Sequence, residues 1–434
     1  MLTHKELRDL ASPIHRQDAM LRCHSVLLPW TVPRATGKAA APATVGCPDR
    51  TNRADIVRIL IDYRPALRQR TGVGLWVARL VEALAEPDGP AITVFSSSLR
   101  DRLTAAALPP RVTRVDRRVP VGLLNWLWHR RQWPPVESLA PGPFDVVHSP
   151  SPLLIPTWNA ARLVTIHDLD FLVHPERSAS EIRRDYPLLA RAHAHRAEGI
   201  VVPSAHTGDE VARRLELPRS RIVVCPNGAP DWPTRTRPPA VGHLLFVGSI
   251  TPRKNVDRLL TAYAQLRAHR PDAPPLVLAG QSTSEAGPTL ARLSRPPLVG
   301  HVRHEGYVDN ARLRTLYEQA VIVVLPSLAE GFGIPALEAM TVGVPVVAAE
   351  RGALPEVVGD AGLLIDPLNV DELAAAIDRV LTNDQLRDRM SVWGSARAKR
   401  FSWRASADAL IGAYTEAIGR QQARSKNPAN AYRN

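Results

Sequence analysis

Cysteine is scarce in this chain. Only Cys23, Cys47 and Cys225 occur in 434 residues. Their spacing forms no paired motif, so a disulfide scaffold or a zinc ribbon is not expected, and a reducing compartment, the cytoplasm, fits best. Long apolar runs are absent too. No stretch reaches the ~18 uninterrupted apolar residues that a membrane helix requires. The segment Ser25–Val32 is short, broken by Pro29 and preceded by several charges, so it does not read as a secretory signal. A third glycine is missing after Gly72-Val73-Gly74, where Trp76 and Val77 stand instead. The dinucleotide fingerprint is therefore incomplete, which disfavours a nicotinamide dehydrogenase. No short internal repeat is visible.

What is present suits a soluble globular protein: 45% apolar and 22% charged residues. At ~150 residues per domain the length suggests two or three domains. The net charge is +13 and unevenly spread. Residues 1–240 hold 33 Lys+Arg against 23 Asp+Glu, whereas residues 241–434 hold 22 against 19. A solvated Arg-rich surface is the plain reading of the basic half. The sharper readings are an anionic substrate, anionic lipid or nucleic acid.

Residues 1–53 mix Pro, Ala, Thr and isolated charges with little periodicity, and read as a poorly ordered extension. From residue 54 the pattern becomes α/β. Short apolar runs open at Ile56, Ala91, Asp145, Leu163, Gly199 and Ile222, with helical segments between several of them. Strands alternating with helices imply a parallel sheet. Residues 227–241 are Pro-rich and read as a linker. The alternation then restarts over residues 242–402, and Ser402 makes a plausible N-cap for a last helix over 403–420. A ligand would lie at the carboxyl ends of the strands, between the two domains.

Four stretches carry chemistry. In LPSLAEGFGIPALEAM (325–340), a strand end leads through Glu330-Gly331-Phe332-Gly333 into a helix from Ile334. Two glycines before a helix N-terminus let backbone N–H groups approach an anion. Glu330 and Glu338 then suit hydroxyl-rich partners, a sugar and a ribose, as hydrogen-bond acceptors. In FVGSITPRKNV (246–256), Arg253 and Lys254 place a fork and a point charge where a diphosphate could lie, or simply form a basic surface turn. His167 follows a strand, where a structural histidine is the commoner outcome. Asp168-Leu169-Asp170 matches a short acidic metal-binding pattern that also arises often by chance. Gly72 and Gly74 read as a tight turn that admits a ligand.

EGFGIPALEAM followed by VGVPVV resembles the paired-glutamate motif of the retaining glycosyltransferases of family 4 (group 1). FVGSITPRKN resembles that family's donor-diphosphate loop. TIHDLDFLVHPE, VVPSAHT and IVVCPNG resemble acceptor-domain segments of its mannosyltransferase-like subgroup, and LPEVVGDAGLLIDP and RFSW its C-terminal segments. The resemblance spans residues 55–420 but not 1–53. It implies a GT-B fold: an acceptor-binding Rossmann-like domain over 54–226, a nucleotide-sugar-binding one over 242–402, and a last helix crossing back. The implied donor is a nucleotide-diphosphate sugar, with GDP-mannose favoured. The implied acceptor is a glycan or a lipid-linked glycan.

By the same resemblance Glu330 contacts the transferred sugar and Glu338 the ribose, while His167 sits near the reacting sugar. Gly331, Phe332, Gly333 and Ile334 supply backbone near the phosphate and sugar, and Val308 backbone near the base. Arg253 and Lys254 hold the diphosphate; Gly72 and Gly74 form the acceptor loop. Gly248-Ser249 stands where many relatives have Gly-Arg, and Arg253 compensates. The resemblance favours a front-face reaction with no metal and no cofactor. A sugar-nucleotide epimerase or a phosphorylase on the same scaffold is the alternative; a non-catalytic sugar- or nucleic-acid-binding protein is the non-enzyme one, and nucleic acid is not an expected partner. Finally, Arg117, Arg118, Arg130 and Arg131 flank the run LLNWLW at 123–128, with Trp133 beyond. The segment reads either as an ordinary packed helix or as a peripheral contact with anionic membrane at its inner face.

Overall fold

Runs such as Ile59-Leu60-Ile61 and Ile322-Val323-Val324 are buried on both faces. That is what a parallel sheet covered by helices on each side demands. The computed structural model describes residues 56–67, 72–175, 180–239 and 241–426. Residues 1–53, expected as an extension, lie outside the described residues.

The first sheet holds β1 (Arg58–Asp62), β2 (Ala91–Ser97), β3 (Thr113–Arg117), β4 (Val146–Ser149), β5 (Ala161–Thr165), β6 (Gly199–Val202) and β7 (Ile222–Val224), in the order β3-β2-β1-β4-β5-β6-β7. The second holds β8 (His243–Val247), β9 (Leu276–Ala279), β10 (Val302–Gly306), β11 (Ala320–Leu325), β12 (Val346–Ala349) and β13 (Leu363–Ile365), in the order β10-β9-β8-β11-β12-β13. All neighbouring strands are parallel. Each sheet is doubly wound, and the strand order reverses at β1/β4 and at β8/β11. Such switch points open a crevice at the carboxyl ends of the strands.

The first domain carries α1 (Val73–Leu84), α2 (Val121–Trp126), α3 (Asp170–Val173), α4 (Ser180–Arg196) and α5 (Ala205–Leu215). The second carries α6 (Val256–His269), α7 (Gly287–Ala291), α8 (Asn310–Glu318), α9 (Ile334–Val342), α10 (Leu354–Val358), α11 (Val370–Thr382) and α12 (Asp384–Ala398). The last helix, α13 (Trp403–Lys426), returns to the first domain, where Leu410, Ala413, Tyr414 and Ala417 join a core built from β1, α1 and β5. It runs past residue 420 to Lys426.

Several sequence expectations need correction. The edge strand β3 was not anticipated, because TRVDR buries only Val115 and presents charge elsewhere. Helix α1 begins at Val73, so Gly74 is a buried helical residue and not part of a turn. The linker, residues 227–241, is tied to the second domain at Ala229, Trp232 and Arg235. Ala229 N–H donates to Phe401 O at 2.9 Å and Arg235 N–H to Val342 O at 3.0 Å. Trp232 lies against Tyr317 with ring centres 5.7 Å apart. Among the described residues no helix is long and apolar enough to cross a membrane.

Candidate active site

The loop after β11 and the turn after β8 form one wall of the crevice. Asn255 ties them together: its Nδ2 donates to Pro326 O at 3.0 Å and to Pro367 O at 2.8 Å. Leu328 N–H donates to Arg253 O, and Arg253 Nη1 to Ala329 O, both at 2.8 Å. Glu330 is thereby placed over the two cations. Lys254 Nζ lies 2.5 Å from its Oε1, Arg253 Nη1 lies 3.4 Å from its Oε2, and Ser327 Oγ donates to Oε1 at 2.8 Å. Burial alone would raise the Glu330 pKa. Lys254 and then Arg253 outweigh it and hold the carboxyl below its ordinary value.

Glu338 is one helical face further in, on α9, and is buried. It has no cation. Tyr317 Oη donates to its Oε2 at 2.7 Å. Burial pushes the Glu338 carboxyl up to about 7, with the tyrosine hydrogen bond pulling the other way. Gly333 is the N-cap of helix α9, with a φ of +105° that favours glycine, and Pro335 fills a first-turn position that needs no N–H donor.

Across the crevice stand Trp76 from α1 and His167 from the end of β5. Their rings meet edge to face at 5.1 Å. Burial pushes the His167 imidazole down to about 4, against the raising effects of Asp168 and a backbone hydrogen bond with Pro150. His167 Nε2 and Trp76 Nε1 are both shut in, with no hydrogen-bond partner among the described residues. The walls approach closely at Gly331: a Cβ there would sit 1.9 Å from His167 O, so only glycine fits.

The crevice has a volume of about 430 Å³. It is lined by Gly72, His167, Arg253, Lys254, Val308, the stretch from Glu330 to Ile334, and Glu338. Gly74 does not line it and is withdrawn from the acceptor loop. Asp168 and Asp170 face Arg253, with Asp170 Oδ2 3.9 Å from its Nε. Sequence reasoning did not single out Ser327, Tyr317, Trp76 or Asn227. Ser327 and Tyr317 hydrogen-bond the two glutamates, and Trp76 and Asn227 line the crevice. Tyr317 and Trp76 meet Glu338 and His167 across long stretches of chain; Ser327, three residues from Glu330, was within reach of a local reading.

The class of protein is set by the fold: two doubly wound domains facing across a crevice, the GT-B glycosyltransferase fold. A solved sucrose-phosphate synthase from Thermosynechococcus elongatus superposes with a TM-score of 0.67, at 22% identity, covering 84% of this chain and 99% of that one. The family follows from sequence. Residues 70–232 match the model described as Glycosyltransferase Family 4, and residues 238–395 match Glycosyl transferases group 1. The chain is 34% identical to the O-antigen chain mannosyltransferase B of Escherichia coli over 62% of this chain and 74% of that protein. It is 37% identical to the MMP alpha-(1->4)-mannosyltransferase of Mycolicibacterium hassiacum over 39% of this chain, spanning 41% of that protein. The chain belongs to the family 4, group 1 glycosyltransferases and is a glycosyltransferase.

Proposed function

We propose that the chain transfers a mannosyl residue from a nucleotide-diphosphate mannose, GDP-mannose in the first instance, to a hydroxyl of a glycan or lipid-linked acceptor, with retention and without a metal. The observation that carries this reading is the Lys254–Arg253–Glu330 cluster at the mouth of α9, facing His167 across the crevice. The two relatives named as mannosyltransferases support the choice of sugar.

In this reading the donor diphosphate lies against Lys254, Arg253 and the backbone that opens α9. These groups are preorganised for the charge that develops on the leaving group. Glu330 accepts hydroxyl hydrogen bonds from the transferred sugar, and Glu338 from the ribose. The C1–O bond to the diphosphate breaks as the acceptor oxygen bonds to C1 on the same face. The acceptor proton passes to a phosphate oxygen of the leaving diphosphate. His167, neutral because of its burial, stands beside the sugar without adding charge. The cations and the helix mouth do the work a metal would otherwise do.

The reading places the protein in the cytoplasm, at the inner face of the membrane when its acceptor is lipid-linked. The outer surface of α2 and the turn after it supports that attachment. Leu124 and Trp128 pack inward, while Leu123, Trp126 and Trp133 are exposed beside Arg117, Arg118, Arg130 and Arg131.

The test is turnover with a panel of nucleotide sugars, each with and without EDTA. GDP-mannose should be consumed, and chelation should leave transfer intact. Complete loss with EDTA and rescue by manganese would overturn the metal-free part. Turnover of another sugar alone would overturn the choice of mannose.

A further inference from the structure

Beside Glu330 a set of contacts crosses between the domains. Ser204 Oγ donates to Gly331 O at 2.7 Å, and Thr207 Oγ1 donates to the same carbonyl at 3.0 Å. A carbonyl oxygen has two lone pairs and can accept both. Glu356, on α10 of the second domain, accepts from Ala205 N–H at 3.0 Å and from His206 N–H at 3.1 Å.

Ala205 and His206 open α5, an 11-residue helix of the first domain. The first N–H groups of a helix have no partner within it, and they carry the positive end of its dipole. Ser204 supplies the local cap, to Thr207 N–H. The two N–H groups left over are met by a carboxylate that belongs to the other domain.

The platform under Glu356 is stiff. Arg397 on α12 donates from Nη2 to Glu356 O at 2.7 Å and from Nε to Val357 O at 2.6 Å. Ala353, just ahead of α10, donates its N–H to Glu330 O at 3.0 Å. The Glu330–Gly331 segment is therefore gripped from both sides. Its first carbonyl is held by the residue preceding α10, its second by hydroxyls from the opposite domain.

We infer that Glu356, with Ser204 and Thr207, forms an interdomain latch that closes the crevice and fixes the Glu330 loop. These are positioning residues, since they touch α5 and Gly331 rather than the reacting groups. When the domains part, Glu356 and the α5 N–H groups must return to water, and the loop loses its anchor on the first domain. Removing the latch therefore lowers the population of the closed form. Apparent donor affinity falls in proportion to that population, while saturating donor restores closure.

The inference rests on the transferase reading for its kinetic arm, so the experiment has a second arm that does not. Small-angle scattering of the full chain without substrate compares wild type, Glu356→Ala and Thr207→Val. Both variants should have a larger radius of gyration with a melting temperature close to that of the wild type. In steady state, Glu356→Ala should raise the donor KM about tenfold with kcat little changed, as a tenfold loss of the closed population requires. Glu356→Gln, which keeps acceptor oxygens but not the charge, should fall between. An unchanged radius of gyration in both variants would overturn the latch. So would a loss of kcat at unchanged KM that tracks a lowered melting temperature. If the wild type consumes no nucleotide sugar, the functional reading fails while the scattering result still decides the latch.

Discussion

The two walls of the crevice are made of different chemistry. The second domain presents ions: Lys254 and Arg253 paired with Glu330, and Glu338 deeper on α9. The first presents mainly neutral rings, Trp76 edge to face with a His167 that burial keeps uncharged near neutral pH, with the Asp168 carboxylate beside them facing Arg253. Burial penalises every charge, so a buried ion persists where a partner holds it. The ionic wall suits a diphosphate. The ring wall is less polar, and two of its nitrogens, Trp76 Nε1 and His167 Nε2, are buried without a hydrogen-bond partner among the described residues. The same rule separates the two glutamates. Glu330 stays ionised between cations, whereas Glu338, with only Tyr317, titrates near neutrality.

The largest expected effect breaks the ionic wall. Glu330→Gln should lower turnover by about 10²-fold or more, the scale of losing one preorganised group. Lys254→Ala should do comparable damage. Because the two side chains are in contact, the double variant should be much less damaged than the sum of the two losses. Additive losses in a double-mutant cycle would mean that the pair does not act as a unit.

A second experiment separates the walls by pH. Donor affinity should improve as pH rises through about 7, because ionised Glu338 accepts ribose hydrogen bonds better. Glu338→Gln should abolish that inflection, and His167→Asn, whose imidazole is held down to about 4, should leave it in place. The reverse outcome would exchange the roles of the two groups.

Stability should carry a smaller signature of the same contrast. The Glu338 pKa rises from 4.5 to about 7 on folding. The folded state then binds more protons than the unfolded one across that window, so this group's contribution falls as pH rises from 4.5 to 7. His167 drops from 6.5 to about 4, and its contribution grows as pH rises from 4 to 6.5. Denaturant melts of Glu338→Gln and His167→Asn against pH should differ from wild type with opposite slopes.

The smallest effect lies outside the crevice, on the basic face of the first domain. Wild type should co-sediment with anionic vesicles at low salt and be released at high salt. Each basic residue near such a surface is worth about 1 kcal/mol. Arg130→Glu/Arg131→Glu should bind more weakly, and equal partitioning of both proteins would remove this segment from membrane attachment.

Much of the site was legible because its chemistry is local. Glu330, the glycines, Pro335 and Glu338 sit within one strand–loop–helix stretch, and glycine, proline and helix-end rules act over a few residues. Arg253 and Lys254 could be placed on the opposing turn for the same reason. What they touch could not, because Lys254 and Glu330 are 76 residues apart and meet only when β8 and β11 pair. Gly74 misled because a glycine pair reads as a turn, whereas burial of Trp76, Val77 and Leu80 draws the helix back to Val73. The charged edge strand β3 was hidden because one buried residue in five leaves no apolar pattern.

By itself the sequence determined the two α/β domains, most of their strands and helices in order along the chain though not the edge strand β3, and the glutamate and cation motifs. These follow from apolar periodicity and from short-range backbone preferences. Tertiary structure alone decided which charges are neutralised, which carboxyl holds its proton near pH 7, and how Glu356 reaches the start of α5. Those outcomes depend on desolvation and on distances between residues far apart in the chain, and both are set only when the sheets and helices pack.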